Sequence, residues 1–188
     1  MKKFLIVGLG NIGDTYKNTR HNIGFQILDA LAKDQEVKFE TEKLGDITRF
    51  RHKGRTFILL KPSTYMNLSG KAVSYWMTQE KIQLENVFVV TDDVHLDFGS
   101  VRIKTKGSAG GHNGLKDIQA TLGNTDYARL RFGVGNEFAK GSQADYVLGT
   151  WNNEEAKLLP ERIQTATEFI KGFATIGLGL TMTNWNNK

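Results

Sequence analysis

From Phe4 to Val7 the chain is apolar at every position, with no polar residue to mark a solvent-facing side, and it then runs into Gly8, Gly10 and Gly13. A strand of that pattern is buried on both faces, so other elements must cover it above and below. The G-x-G-x-x-G spacing that follows is also that of a dinucleotide fingerprint, which needs a helix starting at the glycines to receive a pyrophosphate. Here the polar segment DTYKNTRHN follows Gly13 and delays the first helical pattern to about Asn22. No strand ending in an acid is evident roughly 20 residues further on, where a ribose would be held. The glycines therefore read as a tight strand-to-loop turn rather than a nucleotide cradle.

The pattern then alternates. NIGFQILDALAKD places Ile23, Ile27, Leu28 and Leu31 at helical spacing. DITRFRHKGRTFILLKP predicts an antiparallel hairpin turning at HKGR and closed by Pro62. AVSYWMTQEKI predicts a helix burying Val73, Trp76 and Met77, and NVFVVTDD a buried strand ending in two acids. SVRIKTK and ARLRFGVG alternate as strands on either side of a short amphipathic helix, GLKDIQATL. A last long helix is expected from Glu154 to about Ile176, with Pro160 early in it or marking its true start. Strands alternating with helices, plus one hairpin, predict an α/β protein: a single globular domain over residues 1–188, with a mixed twisted sheet and helices on both faces. Functional groups in such sheets favour loops at the carboxyl ends of strands.

Composition narrows the chemistry. The 188 residues include no cysteine, which excludes disulfides, thiolate nucleophiles and cysteine-based zinc sites and fits a reducing cytoplasm. The basic start MKK precedes an apolar stretch too short for a secretory leader, and no run approaches the roughly 18 apolar residues of a spanning helix, so no membrane association is expected. A net charge of +5 suits an anionic partner.

Four histidines are present. His52, between Arg51 and Lys53 at a turn, reads as solvated. In TDDVHLDFG, an extended strand would put Asp93, His95 and Asp97 on one face, a weak metal pattern. His21 in TRHN and His112 in GGHNG, each followed by asparagine, lie in segments where catalytic groups collect. A hydrolase without cysteine can use histidine to deprotonate water, a carboxylate to orient that histidine, and amides to hold substrate and developing charge. Asp92, Asn11, Asn67 and Asn113 are available for those parts, although asparagine beside glycine is commonly a turn residue. No serine stands in a nucleophile-elbow pattern.

Taken together, GLGNIGDTYKNTRHNIGF, KPSTYMNLSGKAV, DDVHLDFGSVRIKTKGSAGGHNGLKDI and RLRFGVG closely resemble, in order, the bacterial peptidyl-tRNA hydrolase family, and the later DYVLG continues the likeness. The resemblance implies a cytoplasmic monomer that cleaves the ester between a peptide and the terminal ribose of tRNA, with no cofactor or metal. It implies His21 as general base and Asp92 as its partner, with Asp93 ranked second. It places Asn11, Asn67 and Asn113 in the substrate site, with Tyr16 and Met66 lining the cleft, and Arg102, Lys104 and Arg131 against tRNA phosphate. Two departures stand out: Ile12 where the family usually has proline, expected to loosen the glycine loop, and GVGNEF where a basic residue and proline often follow the glycines. The rival reading is a noncatalytic RNA-binding homologue of the same fold.

Overall fold

In the computed structural model, which describes residues 2–186, thirteen helices and strands longer than a single turn follow one another. They are β1 (Lys3–Gly8), α1 (Ile23–Asp34), β2 (Glu40–Glu42), β3 (Gly45–His52), β4 (Arg55–Pro62), α2 (Ser69–Glu80) and β5 (Val87–Asp93). Then come β6 (Val101–Lys104), α3 (Asn113–Leu122), β7 (Ala128–Gly133), α4 (Gln143–Val147), α5 (Asn153–Thr175) and α6 (Leu178–Trp185). The strands form one mixed sheet in the order β2-β3-β4-β1-β5-β7-β6. β4, β1, β5 and β7 run parallel, while β2, β3 and β6 are antiparallel to their neighbours.

The doubly apolar β1 lies in the middle of the sheet, and its two faces are covered by different helices. Phe4 and Ile6, with Phe88, Val90, Leu130 and Phe132, pack under α1 and α5. Leu5 and Val7, with Val87 and Val89, pack under α2 and α3. The stacking of Phe88 on Phe173, ring centroids 4.5 Å apart, ties α5 to the sheet. No helix among the described residues is long and apolar enough to cross a membrane.

The glycines after β1 serve helix packing. A Cβ on Gly8 would collide with the carbonyl of Gly24 in α1, and one on Gly24 would stand 2.6 Å from the Leu9 oxygen and 2.7 Å from the Val90 oxygen. Backbone faces backbone here, so nothing can rotate aside. We therefore expect Gly24→Ala to lower the unfolding free energy by about 3 kcal/mol, the upper end of the usual overpacking cost. Urea denaturation measures it, and a loss below about 1 kcal/mol would mean that α1 does not press on the sheet this closely.

Three short elements, β2, α4 and α6, lie outside the sequence expectation. β2 spans only three exposed residues, α4 five, and α6 follows the Gly177 break directly. Pro160 does not start the last helix. α5 begins seven residues earlier, at Asn153, after a capping box in which Asn152 and Glu155 satisfy each other's backbone amides.

Candidate active site

The strand order reverses at β1: β4 is laid on one side of it and β5 on the other. A crevice opens outside the carboxyl ends of β1 and β5, where ligands bind in open α/β sheets. A cavity of about 700 Å³ occupies it, lined among others by Asn11, His21, Asn67, Asp92, His112 and Asn113.

Strand alternation decides between the two acids that end β5. Successive side chains point to opposite faces, so Asp92 shares the face of Phe88 and Val90, beneath α1 and the one-turn helix Arg20–Asn22 that precedes it. Asp93 falls on the other face, where its carboxylate accepts from Arg131 Nε at 2.7 Å and from the His95 N–H at 2.7 Å. Asp92 is therefore the acid that meets His21.

Asp92 is 4% exposed, the only buried carboxylate among the described residues, and both of its oxygens are engaged. His21 Nδ1 lies 2.8 Å from Oδ2, and His112 Nε2 lies 2.8 Å from Oδ1. The two imidazoles are 4.9 Å apart, centroid to centroid. His112 also caps α3: its Nδ1 accepts the N–H groups of Gly114 at 3.1 Å and Leu115 at 3.4 Å. An Nδ1 that accepts carries no proton, so the ring proton of His112 is on Nε2 and points at Asp92. The remaining oxygen of Asp92 then receives Nδ1–H of His21, which leaves His21 Nε2 as an unpartnered base on a ring that lines the cavity.

Electrostatics follow from this arrangement. Burial alone would lower the pKa of His21; the charge of Asp92 and the hydrogen bond to it outweigh burial and raise it above 6.5. Burial alone would raise the pKa of Asp92; the two histidines outweigh it and hold the carboxyl well below the usual range. His21, Asp92 and His112 are also, among the described residues, the one acid–histidine group whose ligand atoms all lie within 4.8 Å of one another. A cation seated among those three atoms would have to displace the imidazole protons that face the carboxylate.

The asparagines divide their work. Asn11 and Asn22 bind reciprocally: the Asn11 N–H donates to Asn22 Oδ1 and Asn22 Nδ2 to the Asn11 carbonyl, both at 2.8 Å. Asn11 Oδ1 accepts the Met66 N–H at 2.9 Å, so the loop after β4 is tied to the loop after β1. With Oδ1 committed, the Asn11 amide nitrogen is the group left for a ligand. Asn67 and Asn113 are exposed on the cavity wall. Met66 is buried, and it forms part of the wall as well as the core.

Other expected residues lie elsewhere. Tyr16 does not line the cavity; it is half-buried, and its carbonyl accepts from the Thr19 hydroxyl at 2.8 Å. Asp93, His95 and Asp97 do not share a strand face, because β5 ends at Asp93 and the chain turns. Arg102 and Lys104 share the outer face of edge strand β6, and Arg131 stands opposite Arg102 on β7 with its Nε given to Asp93. Two contributors have no role assignable from sequence. His112 stands out beside asparagine, but its bond to Asp92 is visible only in three dimensions. Arg129, 1% exposed, grips the carbonyls of Gly107 and Ser108 and so anchors the glycine loop that carries His112.

A buried carboxylate shared by two imidazoles, one of them with a free ring nitrogen, beside a cavity edged by amides has the parts that activation of water for hydrolysis requires. A protein-family model described as Peptidyl-tRNA hydrolase matches residues 5–188. Proteins named peptidyl-tRNA hydrolase from Phocaeicola vulgatus and Cytophaga hutchinsonii are 57% and 54% identical over 186 residues. Those matches cover 99% of this chain and 100% and 99% of theirs. The crystal structure of peptidyl-tRNA hydrolase from Acinetobacter baumannii superposes with a TM-score of 0.91 at 34% identity, covering 97% of this chain and 94% of that one. The chain belongs to the peptidyl-tRNA hydrolase family.

Proposed function

We propose that the chain performs the reaction its family is named for, hydrolysis of the ester that joins a peptide to the 3′-terminal ribose of tRNA, through water activated by His21. The observation that carries this reading is the single hydrogen-bonded line from α3 through His112 and Asp92 to His21, which leaves His21 Nε2 as the one free base of the three groups. Water attacking the ester carbonyl gives its proton to Nε2. The imidazolium that results is held by Asp92, already ionised and already aligned. The same proton then serves the departing ribose oxygen, so the histidine returns to its starting state.

Asn11, Asn67 and Asn113 supply amide donors for the peptide, the water and the charge that develops on the carbonyl oxygen. An ester suits such a site, because its alkoxide leaves more readily than an amide nitrogen. Recognition must then come from binding: Arg102, Lys104 and Arg131 are assigned to tRNA phosphates, with the charge of Arg131 partly compensated by Asp93. The protein works as a cytoplasmic monomer of one domain and needs no cofactor.

The test is release of peptide from a purified N-blocked aminoacyl-tRNA in labelled water. Catalytic turnover with one labelled oxygen in the peptide carboxylate and none in the ribose supports hydrolysis at the acyl–oxygen bond of the ester. Saturable tRNA binding without turnover would overturn the reading in favour of an RNA-binding protein that has lost catalysis.

A further inference from the structure

Arg20, the residue just before His21, reaches α4 and the start of α5. Its guanidinium donates from Nη1 to the Tyr146 carbonyl at 3.1 Å and from Nη2 to Glu155 Oε1 at 3.2 Å, and it lies over the Tyr146 ring, 4.1 Å from the centroid. Both members of the ion pair are largely buried, their side chains 11% and 12% exposed. The Arg20 N–H donates to the Gly149 carbonyl at 3.0 Å, and Thr19 bridges Thr150. A Cβ on Gly149 would stand 3.1 Å from Nη1, so glycine there leaves the guanidinium its passage.

What these contacts hold is α4. Gln143, Ala144 and Val147 of that helix, with Leu148 after it, line the cavity. A five-residue helix has little stability of its own. Its position depends on tertiary anchors, and Arg20 supplies a fork of donors, a stacked cation and a backbone bond at once.

We propose that Arg20 is a positioning residue for substrate binding: it fixes α4 as a cavity wall at a set distance from the turn that bears His21. The proposal rests on the reading of this cavity as the peptidyl-ester site. It separates binding from chemistry, because the rest of the turn has anchors of its own. His21 is held by Asp92, and Asn22 by the reciprocal bonds to Asn11. Loss of the Arg20 fork therefore loosens the wall and leaves the base aligned.

Two variants test it, Arg20→Lys and Glu155→Gln. Lysine keeps a charge but cannot reach both acceptors and stack on Tyr146 together. Glutamine keeps an oxygen for the Asn152 N–H that Glu155 caps, while it removes the charge opposite Arg20. Steady-state hydrolysis of N-blocked aminoacyl-tRNA across pH should show KM raised about tenfold, the effect of losing one charge-assisted hydrogen bond, with kcat and the midpoint of its pH profile unchanged. A fall in kcat at constant KM, or a moved midpoint, would show that Arg20 acts through His21 and would overturn the proposal. So would unchanged KM in both variants. If Arg20→Lys does not fold, Glu155→Gln decides by the same readouts. An idle wild-type enzyme would instead sink the functional reading itself, and that result is visible before either variant is assayed.

Discussion

Replacing His21 with alanine is expected to lower kcat by about 10²–10⁴-fold, the usual contribution of a general base, while tRNA binding is retained. The expectation follows from the position of Nε2. Of the ring nitrogens around Asp92, His112 Nε2 and His21 Nδ1 face the carboxylate, and His112 Nδ1 accepts two helix amides. Only His21 Nε2 is free to take a proton, and no neighbour can replace it without breaking one of those bonds. The wild-type pH profile follows from the same site. The base must be neutral to act, and its pKa is raised above 6.5, so kcat/KM should climb with pH through a midpoint above that value. Steady-state assays across pH, with binding measured separately on uncleaved tRNA, check both points. A His21→Ala enzyme that retains most of its kcat would show that the proton goes elsewhere.

The second large effect is expected from Asp92→Asn, a loss of about 10³–10⁴-fold by enforcing the wrong tautomer. An asparagine here has one acceptor and one donor where aspartate has two acceptors. His112 must keep its proton on Nε2, because its Nδ1 is committed to the amides of Gly114 and Leu115. It therefore claims the oxygen of the new side chain, and the amide NH₂ is turned toward His21. His21 can then face that NH₂ only as an acceptor at Nδ1, which moves its proton to Nε2 and removes the base. The loss of the carboxylate charge also lets the pKa of His21 fall, so the residual activity should reach its plateau at lower pH than the wild type. Nitrogen NMR shifts of the His21 ring report the tautomer directly. An Nδ1–H ring in the variant would contradict this account even if activity were low.

The two predictions depend on contacts of unequal legibility. That His21 and Asp92 are chemically useful can be argued from a cysteine-free chain with few histidines and a strand ending in two acids. Which acid is used follows from period-two alternation along β5, once it is known which face carries α1. The role of His112 depends on where α3 begins, because an imidazole that caps a helix has its tautomer set by that helix. The cap pattern is no guide here: residue 112 is not one of the serine, threonine, aspartate or asparagine residues that mark helix starts. Resemblance places Tyr16 at the cleft, whereas in the structure it is half-buried on a one-turn helix and is not among the residues that line the cavity.

The long elements are legible because each carries its own periodic apolar signal: β1, the β3–β4 hairpin, β5, α1 and α5 depend on local pattern and caps. The turn reading of Gly8 and Gly10 is incomplete in an instructive way. Their conformations are ordinary, and what they permit is the close approach of α1 to β1 and of the Phe25 ring to the chain after it. The short elements carry no such signal. β2 has no buried residue, α4 is held by Arg20, and α6 packs Trp185 against Gly172.

The class of fold and the expectation of a site beyond the carboxyl ends of the strands are legible in the chain, because apolar periodicity is a local property, while His21 and Asp92 are named as base and partner by the resemblance its motifs carry. Tertiary structure alone decided which face each acid occupies, which tautomer each imidazole holds, and how α4 is fixed as a wall. Those depend on hydrogen bonds between groups 71 residues apart in His21 and Asp92, and 135 apart in Arg20 and Glu155. A bond of that kind exists only after the chain has paid its conformational entropy and closed the loop, and no local pattern encodes its geometry.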